Sequence, residues 1–340
     1  MSWRVSLRGY APGLALCAVL ASLAHWLAGQ PWAREAGLGL LALAMLLGLL
    51  LGNTLYPRCA ARADPGVALA RQSLLRLGIV LYGVRLSLSQ LLDLGPAVWL
   101  IDLLVVLSTF TLALWLGRRW LGLDRQTCLL IGAGSSICGA AAIVASESLV
   151  RGGQQRVAVA VATVVAFGSL AMLLYPQLFA WLGGDSQAFG IYIGSTLHEV
   201  AQVVAAGSAI DAPAAQLAVL SKMLRVLLLV PFLLLLAAWL RREQCPGEGT
   251  ARLPIPWFAL GFLLVLLIQA QWPLARDWQA HLVALDDALL ALAMAGLGLA
   301  TPLRAVLQAG WRPLWLGGLL FVWLVLGGAA INALLLPLWR

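Results

Sequence analysis

Apolar windows about 20 residues long, the length that crosses a bilayer core, follow one another along almost the whole chain. No soluble fold of 340 residues could cover that much apolar surface. Hydrophobic residues make up 62% of the chain and charged ones 11%, against about 45–50% and about 25% in soluble domains. The chain reads as an all-α polytopic membrane protein with about eleven spans (ten to eleven). They fall roughly at 11–29, 36–54, 68–88, 96–117, 127–147, 157–181, 188–209, 215–240, 256–272, 284–302 and 314–337.

With the N-terminus in the cytoplasm, the inside segments hold Arg4, Arg8, Arg58, Arg62, Arg118, Arg119, Arg125, Arg241, Arg242, Arg252, Arg304 and Arg312. The outside segments hold only Arg34, Arg151, Arg156, Arg276 and Arg340. This asymmetry is the positive-inside signal, and it accounts for the net charge of +8 without a nucleic-acid partner. Arg4 and Arg8 before an apolar run resemble a signal peptide, but the run continues through His25 and Trp26, so an uncleaved first helix is expected. Cys17, Cys59, Cys128, Cys138 and Cys245 form no C-x-x-C pair and no metal spacing. Neither a disulfide framework, a metal nor a cofactor is expected.

No loop is long enough to be a second domain. The polar stretch "RREQCPGEGTARLPIP" (241–256) reads as a cytoplasmic loop within one transmembrane domain, whose halves are about 1–182, with an extra N-terminal helix, and 183–340. Five-helix units repeat internally. "LGIVLYGVRLSLSQLLDLG" (77–95) matches "LAMAGLGLATPLRAVLQAG" (292–310), setting Gly83 on Gly298 and Gly95 on Gly310. These spans run in opposite directions, as inverted repeats do. A weaker match sets "IGAGSSICGAAAIVA" (131–145) on "IGSTLHEVAQVVAAG" (193–207). With eleven full crossings these two run the same way, which conflicts with inversion.

Those two stretches carry the chemistry. From Gly132 to Ala142 the only bulky side chain is Ile137. Either the small residues let a neighbouring helix pack closely, or the helix is interrupted at Gly134–Ser135–Ser136 near the midplane. In the second case a half-helix would present free N–H groups, its positive dipole end and the two hydroxyls to an anion. Ser195 and Thr196 repeat the polar, Gly-led entry before His198, Glu199 and Gln202. Read as helix, His198 and Gln202 share a face, with Glu199 about 100° around. Ionisable groups inside a span are costly and mark pathways or proton relays; a His–Glu bond locking two helices is the alternative.

Lys222 and Arg225 share a helix face and need counter-charges, from Glu199, Glu147, Asp102 or an anionic substrate. Arg76 joins them, whereas Arg71 and Arg85 read as snorkelling to the interfaces. Asp286 and Asp287 read as helix-start carboxylates, and Asn332 as a cavity donor or an interhelical bond. No P-loop, nucleophile elbow or H-E-x-x-H is present, so neither ATP hydrolysis nor another enzyme activity is expected.

The strings "LGNTLYP", "LLRLGIVLYGVRLS", "LIGAGSSICGAAAIVASE", "FGIYIGSTLHEVAQVVAAG" and "SKMLRV" together resemble the YeiH-type family of bacterial inner-membrane proteins, often labelled sulfate exporters. The resemblance covers nearly the whole chain. It implies an inner-membrane secondary transporter that moves sulfate, sulfite or a related sulfur oxyanion outward. A more distant similarity, to the bile-acid/sodium and arsenite transporter fold, implies breaks at Gly134–Ser136 and near Thr196–Glu199. The His before the Glu and the order of the second half depart from that fold and turn the expectation from sodium to proton coupling.

The expected site therefore takes a small inorganic or organic anion on Gly134, Ser135, Ser136, Ser195, Thr196, Gln202, Lys222, Arg225 and Arg76. His198 and Glu199 carry the proton. The bilayer is the other partner, and a homo-oligomer is left open. The rival readings are a proton- or sodium-coupled carrier of an organic acid or cation, an intramembrane enzyme using His198 and Glu199, and a membrane subunit that transports nothing.

Overall fold

A computed structural model describes residues 3–35, 38–241, 257–272, 274–301 and 310–338. Arg242, Cys245, Arg252, Arg304 and Arg340 lie outside the described residues, as do most of the 241–255 loop and the 302–309 part of the repeat. All regular elements among the described residues are helices. They are α1 (Trp3–Ala28), α2 (Pro31–Glu35), α3 (Leu40–Gly52), α4 (Ala60–Arg85), α5 (Leu88–Asp93), α6 (Gly95–Arg119), α7 (Arg125–Ser136) and α8 (Ala140–Val150). The second half continues with α9 (Gln154–Leu182), α10 (Ser186–Thr196), α11 (Val200–Ser208), α12 (Ala212–Leu227), α13 (Leu229–Arg241), α14 (Trp257–Gln271), α15 (Arg276–Leu299) and α16 (Trp311–Leu335).

Seven described stretches, α12 and α13 counted as one, are long and apolar enough to cross a membrane. The shorter α3 and α14 run the same course, packed lengthwise on α15 and α4. Counted with these two, the described residues give nine crossings, and the expected spans at 127–147 and 188–209 are not among them.

They are hairpins. With 12 residues in α7 and 11 in α8, each half is about 17–18 Å long at 1.5 Å per residue, about half a bilayer core. The base of the hairpin is closed: Gln126 Nε2 donates to the carbonyls of Val150 and Arg151 at 3.4 Å, and Arg156 pairs with Asp124 at 2.9 Å. Deeper in, Gly134 faces Ile143. The second hairpin, α10–α11, is built alike. Gly190 and Gly194 lie on Ala214 and Ala218 of α12, while Gly207 lies back on Ala215, so α10 and α11 are antiparallel. Because α9 crosses between them, the hairpins enter from opposite faces and meet in the middle.

This corrects the loop assignment. Arg151 and Arg156 share a face with Arg118, Arg119 and Arg125, which makes that basic face more basic than eleven crossings would. It also removes the conflict in the weaker repeat: 131–145 and 193–207 lie on hairpins entering from opposite sides, as inversion requires. The opposite directions expected of the stronger repeat are seen among the described residues, with α4 and α15 packed antiparallel through Gly78–Leu290 and Ala70–Gly296.

The helices pack as two groups. In one, α1, α3, α4, α14 and α15 come together; α3 and α15 touch backbone to backbone, since a Cβ on Gly48 or Gly298 would strike the other helix's main chain. The other group wraps both hairpins with α6, α9, α12, α13 and α16. Asp286 and Asp287 are not at a helix start. They lie in the middle of α15, and Arg85, rather than snorkelling, pairs with Asp286 at 2.8 Å and Asp287 at 2.6 Å.

Candidate functional site

Each hairpin begins with a capped helix. Asp124 accepts the Thr127 N–H at 3.1 Å, and Asp185 accepts that of Gln187 at 3.0 Å. The first helix ends where its bulk ends. After Ser136 the chain leaves helical geometry at Ile137 (φ −117°, ψ −85°) and turns at Gly139, whose φ of +72° suits glycine. The second helix stops at Thr196, and residues 197–199 form the link.

The second break falls where expected, but the first falls a little later, after Ser136 rather than at Gly134–Ser136, and the chemistry of the seat is the inverse of that expected. Ser135 and Ser136 end α7, and Ser195 and Thr196 end α10, so all four present backbone carbonyls at the negative ends of helix dipoles. The Ser136, Ser195 and Thr196 hydroxyls turn back onto the Ala133 and Tyr192 carbonyls at 3.3, 3.1 and 2.5 Å. Tyr175 donates to Thr196 Oγ1 at 2.9 Å, and Asn332 to Ser195 Oγ at 3.0 Å, an interhelical bond. The expected anion cradle of N–H groups at Gly134–Ser136 is absent. Gly134 itself lies inside α7, against Ile143.

Two built-in cations meet these carbonyls. Lys222 and Arg225, both fully buried on α12, reach both tips at once. Lys222 Nζ donates to Ile137 O at 2.7 Å and Leu197 O at 2.6 Å. Arg225 donates to Ser136 O at 2.7 Å, Ser135 O at 3.1 Å, Ser195 O at 2.6 Å and Leu197 O at 3.2 Å. The guanidinium fork suits several acceptors in one plane. Asp102 of α6 is fully buried beside Ser221 and within electrostatic reach of both cations, and neither of its oxygens accepts a hydrogen bond of good geometry among the described residues. Glu147 is no counter-charge to them; it accepts from Gly152 N–H at 3.0 Å and Gly153 N–H at 2.8 Å.

The opposite pole of the crossing is acidic. Glu199, 8% exposed, reaches from the second tip to the first turn of α8, where its Oε1 accepts the Ala140 N–H at 3.3 Å. Its own N–H donates to Gln202 Oε1 at 3.2 Å. The shared face expected of His198 and Gln202 does not form, because 197–199 is not helical. His198 is buried with Nδ1 unpartnered, and it stands near Lys222 and Arg225 with no hydrogen bond to Glu199 among the described residues. Gln202 Nε2 likewise has no partner among the described residues.

A cavity of about 820 Å³ runs between the two helix groups from the basic face to this point. Arg71, Arg76, Cys138, Ala141, Glu147 and Glu199 contribute to its wall. Arg71 lies in a π-helical turn, Ala70–Leu74, a local widening often found at functional sites. Neither Arg71 nor Arg76 makes an ion pair with a described residue. The cavity thus brings together Arg76 and Glu199 of the expected site, while Lys222 and Arg225 lock the tips behind it. Sequence reasoning missed Arg71, taken for an interface residue, and Cys138, tested only as a metal or disulfide residue. The signal for Cys138 was its place just before Gly139 in the interrupted stretch.

A family model described as conserved hypothetical protein 698 matches residues 12–317. The chain belongs to this family. It is 51% identical over 333 residues to a UPF0324 membrane protein of Yersinia pestis, covering 95% of this chain and 92% of that one. It is likewise 51% identical to a UPF0324 membrane protein of Pseudomonas aeruginosa, over 96% and 94% of the two chains. The UPF0324 inner membrane protein YeiH of Escherichia coli K12 is 50% identical over 95% and 93%. No solved structure matches. The family resemblance read from the sequence is therefore correct, and the inner-membrane names agree with the apolar helices.

Proposed function

We propose that this protein is a secondary transporter of a small oxyanion, with sulfate and sulfite the first candidates. One observation carries the reading: two re-entrant hairpins from opposite faces meet at the ends of their half-helices, beside a cavity open to one face. Irregular backbone at membrane depth survives only where protein or a wet cavity satisfies it. Broken helices meeting at the midplane are how many secondary transporters hold a solute. Here the wall of the cavity is cationic at Arg71 and Arg76, and the α8 N-terminus opens onto it at the exposed Ala141. Sulfur enters only through the label attached to the family the sequence resembles.

The positive-inside rule assigns the basic face to the cytoplasm, so the cavity is the cytoplasmic vestibule of an inward-open state and the N-terminus is inside. A cation carrier is disfavoured because Lys222 and Arg225 already occupy the carbonyls that would bind a metal ion. The enzyme alternative draws no support from His198, which makes no hydrogen bond to a described serine.

The test is flux of radiolabelled sulfate and sulfite in proteoliposomes of the purified protein, with and without a pH gradient. Saturable flux of either anion, absent from protein-free vesicles, is expected. If the folded protein moves neither anion but carries an organic acid or a cation, the oxyanion assignment is wrong.

A further inference from the structure

We propose that ionised Glu199 occupies the seat the transported anion takes, so that a proton and one anion cross the membrane together. This rests on the anion-transport reading and adds to it the direction of coupling. The cavity wall offers an anion the first turn of α8, where N–H groups lack intrahelical acceptors and the dipole is positive. Part of that seat is already filled: the Glu199 carboxylate, from the other hairpin, accepts the Ala140 N–H. Gly139 makes room for it, since a Cβ there would lie 2.5 Å from Glu199 Cγ. When ionised, the carboxylate is a resident anion, bound as a substrate would be.

The groups facing Glu199 come from several elements. Lys222 approaches from α12, Arg71 from α4 and Cys138 from the first tip. Arg76 and Glu147 also line the cavity. The described α3 carries no charged residue. Among the described residues Glu199 makes no ion pair, so its charge is answered chiefly by the helix end. A second anion about 4 Å from the ionised carboxylate would be disfavoured about a thousandfold at an effective dielectric of about 20. Protonating Glu199 removes that repulsion and frees the Ala140 N–H for the incoming anion. When the anion leaves, the proton leaves with it and the carboxylate returns to its seat. Sulfate moving with one proton keeps one net negative charge, so a negative-inside potential still drives it outward.

Vesicles holding the full-length protein are loaded with radiolabelled sulfate and a trapped pH dye. Wild-type efflux should turn the lumen alkaline, one proton leaving per sulfate, and sulfate exchange should rise as pH falls. Glu199→Gln, mimicking the protonated form, should exchange sulfate without pH dependence and show no proton movement and no response to a tenfold proton gradient. Lumenal acidification, sulfate efflux without proton movement, or an exchange in Glu199→Gln that still follows pH would overturn the shared seat while leaving anion transport standing. Vesicles that neither move nor exchange sulfate or sulfite would remove both. Should Glu199→Gln fail to fold, the sign of the wild-type proton signal decides alone.

Discussion

Replacing Arg225 by Met tests whether the buried guanidinium holds the two hairpin tips together. Four tip carbonyls accept from Arg225, and among the described residues only that of Leu197 has a second side-chain donor, Lys222. Arg225→Met therefore leaves the Ser135, Ser136 and Ser195 carbonyls without their donor. Each buried unpaired acceptor costs about 1–3 kcal/mol, so the gross loss is about 3–9 kcal/mol. The variant no longer has to desolvate a guanidinium, which offsets several kcal/mol. A net loss of about 3 kcal/mol is expected, equivalent to about a hundredfold in the opening equilibrium of the tips. Hydrogen exchange reads it directly. The Ile137, Gly139 and Leu197 amides, bonded to Ala133, Gly134 and Ile193, should exchange about a hundredfold faster, while the middle of α9 is little changed. Asp102, then facing Lys222 alone, should become a liability, and adding Asp102→Asn should recover about 1 kcal/mol. Unchanged tip exchange in Arg225→Met, or a further loss on adding Asp102→Asn, would refute this reasoning.

Two other outcomes follow from the hairpin bases. Burial pushes the Asp124 carboxyl up, but bonds from the Thr127 hydroxyl and N–H and from Arg156 outweigh it and hold the group below its ordinary value of 3.8. A depressed carboxyl stabilises the fold above its unfolded value and loses that contribution as pH falls through the folded one. Asp124→Asn should therefore be less stable at neutral pH and lose less on acidification below about pH 4; parallel acid-unfolding curves for the two proteins would contradict this. Topology gives the other outcome. Cysteines at Arg119 and Gln155, tested singly, should react with an impermeant thiol reagent from one face of inverted and right-side-out vesicles, and one at Gln187 from the other. Reaction of positions 119 and 155 from opposite faces would restore a crossing span and remove the re-entrant hairpin.

Much of this was legible in the chain. Apolar windows gave the helices, and the bulk-free stretch at 132–142 and the polar run at 194–202 gave both interruptions within a few residues. Lys222 and Arg225 were rightly hard to dismiss as surface charges. Hairpin re-entry was not read, because two half-helices joined by three residues have the length and hydropathy of one span. The clues were present as anomalies: Arg151 and Arg156 counted against the charge rule, and the weaker repeat ran in the wrong direction. The polarity of the seat was beyond sequence reasoning. A shift of a few residues in a break decides whether a serine ends one half-helix or begins the next, and so whether it offers a carbonyl or an N–H. Arg85 found its partners in Asp286 and Asp287, about two hundred residues away, where no local pattern points.

Transport requires that the seat beside Glu199 face each side of the membrane in turn, and Ala141, exposed in the first turn of α8, reports on it. A single cysteine at Ala141, in a chain whose five native cysteines are replaced by Ser or Ala, is labelled with an impermeant thiol reagent from each face of sealed vesicles. Labelling from both faces, slowed by the transported anion, is the result expected of a seat that alternates. Labelling from the basic face alone, under every gradient and anion tried, would mean a fixed pocket and contradict transport through this site.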